Sequence, residues 1–212
     1  MKSLILKDLY NIRHNIKSLP LILAILTVTL ILQNGVSGYT SMCVLVCGMM
    51  FITTFNLDNI SKWNKYAVAM PISRKDIVVS KYVMLFIFST VGLIAGLIIS
   101  MGIGIFSRDF IIKEVLLEST ISLFVSMFLG SVIIPLLYKY GVEKARFLMI
   151  ICFVIPSFLF SWIVNFINKL NIKIPTGFNL NILFACLPIL AIAFIILSIN
   201  ISYKIFKKQE LN

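Results

Sequence analysis

One histidine, four cysteines and eight carboxylates are all that the chain offers for metal, redox or acid–base chemistry. His14 lies in a basic amphipathic stretch. Without a second histidine there can be no H-E-x-x-H helix and no multi-histidine metal site, so it reads as an interfacial residue. Cys43 and Cys47 are four apart and share one helix face. With Cys152 and Cys186 they sit inside long apolar runs, where thiols behave as small apolar groups. No phosphate-cradling G-x-x-x-x-G-K-[ST] and no G-x-S-x-G nucleophile turn occurs. The acids are Asp8, Asp58, Asp76, Asp109, Glu114, Glu118, Glu143 and Glu210. All fall in loops or near the ends of apolar runs, which predicts no buried ionisable group and argues against a proton- or ion-coupled pump. Glu118 comes nearest to being an intramembrane carboxylate and is the one candidate substrate contact. The residues assign no catalytic group, no metal site and no cofactor. Work done against a gradient would need energy from another subunit.

The elements that hold these residues are set by solvent. Of 212 residues, 60% are apolar and 13% charged, against about 45–50% and 25% in ordinary globular chains. Mean hydropathy is +1.04. Only a bilayer suits such a chain. This excludes a membrane-anchored soluble enzyme, a disordered chain, a secreted disulfide scaffold and a nucleic-acid binder. At ~20 residues per span, six apolar runs read as transmembrane helices: 18–35, 40–57, 82–106, 115–138, 147–167 and 180–203. None alternates like a barrel strand. The first lacks a cleavage site and is read as a retained helix. The expected fold is an all-α integral membrane protein of six transmembrane helices (residues 18–203). An in-plane helix (1–17) precedes them, and short cytoplasmic helices and a tail (204–212) complete the chain.

Topology follows from the basic residues. Of 19 Lys and Arg, only Arg108, Lys113, Lys169 and Lys173 lie on the proposed outer side; the other fifteen lie on the inner one. The positive-inside rule then puts both termini in the cytoplasm of a multi-pass plasma-membrane protein. Tyr82, Tyr138, Tyr140, Tyr203 and Trp162 fall at span ends, where interfacial aromatics belong. Small residues recur every four positions in two spans: Gly92, Gly96, Ser100 and Gly104 in the third, Ser122, Ser126 and Gly130 in the fourth. Such stripes let helix backbones approach closely. A subunit interface or a substrate-lining face could use the same stripe. Pro135, Pro156 and Pro188 should bend the spans that hold them.

Two polar segments remain, both on the inner side. In residues 1–17, Ile5, Leu9, Ile12 and Ile16 recur at helical spacing, the pattern of a helix lying in the membrane plane. Residues 58–81 form the loop between the second and third spans. There Trp63 and Tyr66 suit an interface, Pro71 interrupts a helix, and Ser73 with Asp76 matches an S-x-x-D cap. The pattern predicts a short helix over 74–81.

The fragments LILKDLYNIRHNIK (4–17) and KWNKYAVAMPISRKDIVVSKY (62–82) resemble the six-span permeases of ABC-2 type exporters. The likeness extends over the whole chain, and the W-x-x-Y…P-I-S-R-x-x-I-V-x-x-K-Y pattern carries it. It is closest to the small bacterial group that includes phenol-soluble modulin exporter permeases. The resemblance implies that the loop is a coupling element docking on a separate ABC ATPase subunit, which holds ATP and Mg. Two permeases, identical or sister chains, would pair with two such subunits. It carries the coupling role onto Trp63, Tyr66, Pro71, Ser73, Arg74, Lys75 and Asp76. A second, smaller contact falls on Lys139, Glu143, Lys144 and Arg146. Asn59 and Asn64 depart from the pattern, since relatives often have acids there, so charge pairing with the ATPase would be weaker or placed differently. The implied cargo is an amphipathic peptide, with drugs or lipids behind it. A small intramembrane enzyme or an immunity-type membrane protein acting without an ATPase is the alternative; an enzyme would need polar side chains converging inside the bundle.

Overall fold

The computed structural model describes residues 2–17, 19–32, 38–70, 72–104, 112–169 and 180–208. They form α1 (Lys2–Ile16), α2 (Leu19–Leu32), α3 (Tyr39–Gly48), α4 (Met50–Ile60), α5 (Trp63–Ala69), α6 (Arg74–Gly104), α7 (Ile112–Lys169) and α8 (Leu180–Lys208). No strand occurs among the described residues. Helices are what such apolar runs must form, because hydrocarbon offers no partner to an open backbone group. Three stretches are long and apolar enough to cross a membrane: Tyr39–Ile60, Arg74–Gly104 and Val115–Lys144. The first joins α3 and α4 through Met49. The expected fifth and sixth spans fall in the second half of α7 and in α8, where most side chains lie outside the described set.

Gly141 divides α7. Unbroken, its 58 residues would make a rod of about 87 Å, far beyond the ~30 Å hydrocarbon core. Gly141 instead takes φ 75°, ψ 171°, a region open essentially to glycine alone. One residue therefore redirects the chain.

α3 lies against α6 and α7, α8 packs on α6 and α7, and α1 lies across α4 and α6. α6 shows how the faces divide. Ile77, Val78, Lys81, Leu85, Phe88 and Gly92 turn inward, while Phe86, Val91, Ile94, Ile98 and Met101 are exposed. An apolar belt of that size suits a lipid-facing surface and no aqueous one. A chain of rings closes one end of the bundle. Phe55 of α4 meets Tyr138 of α7 edge-on at 5.0 Å, and Tyr138 meets Phe206 of α8 at 5.4 Å. Arg74 Nη1 donates to the Lys207 carbonyl at that same end (3.0 Å).

The helix that holds the expected third span begins earlier than its charges suggest. Residues 74–81, expected as a separate short helix, are the first two turns of α6, continuous with the span. Tyr82 and Tyr138, expected at the interface, are buried inside the bundle. Both corrections share a cause: Lys81 and Tyr82 have polar partners on other helices, and the Tyr138 ring packs on Phe55 and Phe206, none of which the local sequence reveals.

Candidate functional site

The loop between α4 and α6 contains its own free-standing helix, α5. Ser61 and Lys62 turn the chain out of α4, with Lys62 in the left-handed region (φ 51°). α5 stops at Met70, whose extended backbone (ψ 157°) is the conformation that a following proline imposes. Pro71 itself lies outside the described residues. α6 then opens on the Ser73 cap: Ser73 Oγ accepts the Asp76 N–H at 3.1 Å. Two backbone donors also converge on the Ser73 carbonyl, from Asp76 (3.0 Å) and Ile77 (3.3 Å).

The residues expected to couple therefore divide between two elements. Trp63 is half-buried, and Tyr66, on the same short helix, is 63% exposed. Ser73 and Lys75 are exposed, and Arg74 and Asp76 half-buried, on the first turn of α6. Lys139, Glu143 and Lys144 are exposed around Gly141, with Lys139 Nζ 5.0 Å from the Tyr140 ring centre. The Arg146 side chain lies outside the described set. The end of α8 brings the two groups to one face, since it packs on Tyr138 and receives Arg74. Replacing Ser73 with alanine is expected to destabilise the start of α6 by about 1 kcal/mol. Faster amide exchange at residues 74–77, with unchanged membrane insertion, is the check.

Beneath α5 lies a cluster that the sequence does not announce. Asp8 of α1, Asp58 of α4 and Lys81 of α6 are buried, at 2%, 3% and 3% exposure, and Lys7 closes the group. Lys7 Nζ lies 2.6 Å from Asp58 Oδ1 and 2.9 Å from Asp8 Oδ1. Lys81 Nζ lies 2.5 Å from Asp58 Oδ2 and 2.8 Å from Asp8 Oδ2. Each ammonium touches both carboxylates, so the quartet is closed and neutral. Lys7 also stands 4.4 Å from the Trp63 ring centre, and Lys81 5.3 Å from that of Phe55. The expectation of no buried ionisable group is thus overturned. Charges distant in the sequence cancel one another out of water, which neither hydropathy nor spacing can show. One local signal does point to it. Asp8 sits between Leu4 and Ile12 at four-residue steps, and these three form the buried face of α1, displaced from the Ile5–Leu9–Ile12–Ile16 stripe.

A family model described as ABC-2 family transporter protein matches residues 3–207. The chain belongs to that family. No match is found among curated proteins or among solved structures. Membership makes this chain a transport membrane subunit of a kind that works with an ATPase subunit.

Inside this ABC-2 family chain the small residues lie where three helices converge. A Cβ on Gly92 would stand 2.7 Å from Cys47 Cβ and 2.8 Å from the Cys43 carbonyl. One on Gly96 would stand 3.1 Å from Cys43 Cβ and from Thr40 Cα. The cysteines are thus the surface against which α6 seats. Ser100 and Gly104 continue the buried face of α6, and Ser122, Ser126 and Gly130 are buried on α7. Ser126 and Ser89 share a hydrogen bond of 2.8 Å beside Gly48. A second polar seam joins the Tyr82 hydroxyl to Ser198 (2.6 Å) and Ser202 (2.8 Å), and Ser198 donates to the Ser131 carbonyl. Glu118 lies at the opposite end of the bundle, where its Oε2 accepts the N–H of Gly38, the residue that precedes α3 (2.9 Å). Among the described residues no three His, Cys, Asp or Glu side chains group as metal ligands.

Proposed function

We propose that the chain is the permease subunit of an ATP-driven exporter. It would span the plasma membrane six times, with both termini cytoplasmic and α1 lying in the membrane plane. It would work as a dimer with itself or with a sister permease. The observation that carries this reading is the α5–α6 elbow at the basic end of an ABC-2 family bundle. α5 is a short helix hinged at Lys62 and Met70, with Tyr66 presented outward and the first turn of α6 capped beside it. Trp63, Tyr66, Pro71, Ser73, Arg74, Lys75 and Asp76 are read as the ATPase-facing segment, and Lys139–Arg146 as the smaller contact. ATP and Mg would be held by the partner. Amphipathic or antimicrobial-type peptides are the proposed cargo, on the strength of the resemblance alone.

Purification from native membranes should bring down a P-loop ATPase, and peptide export from vesicles should require ATP and survive collapse of the proton gradient. Export driven by the gradient with this chain alone would reverse the reading. Orientation has its own check. A cysteine at Lys2 should resist impermeant reagent applied to intact cells, and one at Lys113 should react; labelling of Lys2 from outside would sink the six-span topology.

A further inference from the structure

The ionic quartet lies directly under α5 and has one edge open to solvent. The Lys81 side chain is 4% exposed, whereas that of Lys7 is 21% exposed, and what covers Lys7 is the Trp63 ring at 4.4 Å. α5, which carries Trp63, is attached through a left-handed Lys62 and an extended Met70. These two breaks separate its backbone from α4 and α6, so lifting it would unwind neither helix but would draw Ala67, fully buried in the core, from its seat. The quartet also holds an unfilled acceptor. Asp8 Oδ1 is 2.9 Å from Lys7 Nζ but has no partner in hydrogen-bond geometry, so water admitted at that edge would find a site. The attraction among the four charges scales inversely with the local dielectric, so their hold on α1 depends on staying dry.

We propose that the quartet is a water-gated latch: Trp63 is its lid, and displacement of α5 wets Lys7 and Asp8 and releases α1 from α4 and α6. With the lid shut, Asp8 is clamped by Lys7 and Lys81, and the Leu4–Asp8–Ile12 face stays against the bundle. With the lid lifted, both charges regain water and α1 is held only by its apolar contacts. The consequence for transport rests on the reading of α5 as the ATPase-facing element; the latch itself does not.

The test uses hydrogen exchange of α1 amides in the full chain in nanodiscs, with no ATPase present. Trp63→Ala should accelerate exchange across residues 4–12 by at least about tenfold, and less than about twofold when Lys7→Met, Asp8→Asn, Asp58→Asn and Lys81→Met have removed the charges. Equal acceleration in both backgrounds would mean that Trp63 acts through packing, and no acceleration in either that it is no lid; each result overturns the latch. Should the neutral chain fail to fold, the swapped pair Asp58→Lys with Lys81→Asp keeps the charge balance, and Trp63→Ala must still accelerate exchange there. A swapped chain indifferent to Trp63→Ala would equally overturn it. Because these samples contain no ATPase, failure of the coupling reading leaves the result unchanged.

Discussion

Lys81→Met is expected to destabilise the folded chain by about 3–5 kcal/mol, the cost of removing one partner from a buried ionic group. Methionine replaces most of the volume, so packing around Phe55 changes little. What changes is charge: Asp8 and Asp58 are left buried with Lys7 as their one counter-ion in the quartet. Against a total of about 5–15 kcal/mol for a typical domain, that loss should lower the thermal midpoint in detergent sharply and reduce the amount in membranes. Adding Asp58→Asn should recover a large part of the loss, because one carboxylate and one ammonium then leave together. Lys75→Met is the control, since Lys75 is exposed and should shift stability by no more than about 0.5 kcal/mol. A Lys81→Met chain as stable as its parent would mean that the four charges are not packed together in the folded protein.

Gly92→Ala should cost about 1–3 kcal/mol, the usual range for overpacking, although alanine is the better helix former by about 1 kcal/mol. The obstruction is what makes this site severe. The added methyl meets the Cys43 carbonyl and Cys47 Cβ, which cannot rotate away, so α3 and α6 must separate. Gly130→Ala should be milder, because its contacts are Cδ1, Cδ2 and Cγ of the Leu85 side chain and no backbone atom, and that side chain can change rotamer. At Gly102 nothing lies within 4 Å, and alanine there should be neutral or stabilising. Denaturation of the three variants in one detergent ranks them. An order with Gly102 worst would refute the close approach of α3 and α6.

These two sites differ in how far the sequence discloses them. Small residues four apart define a stripe, and a stripe needs a facing backbone, so Gly92 and Gly96 can be picked out from their spacing alone. The Ser73 cap and the break at Pro71 are equally legible, because capping and proline sterics act within a few residues. The quartet is the opposite case. Asp8, Asp58 and Lys81 each read as an ordinary charge near a membrane surface, and their partnership exists only once α1, α4 and α6 are side by side. The same blindness places the start of the third span at residue 82: Lys81 looks like the end of a solvated loop until its two carboxylates are seen. Pro71 marks a boundary, but it does not say which side of it carries the separate helix. That is decided by Arg74–Lys81 stacking directly into the span, and by Trp63 finding Lys7.

The quartet also imposes an order on biogenesis. Its members lie at positions 7, 8, 58 and 81, so α1 leaves the ribosome long before the group that completes its seat. Until Lys81 has emerged, docking α1 would bury two carboxylates with a single ammonium, a state disfavoured by several kcal/mol. Docking of α1 is therefore favoured only once α4 and α6 stand side by side and present Asp58 and Lys81 together. α1 is thus translated before its seat and docks late, and its attachment certifies that α4 and α6 have met.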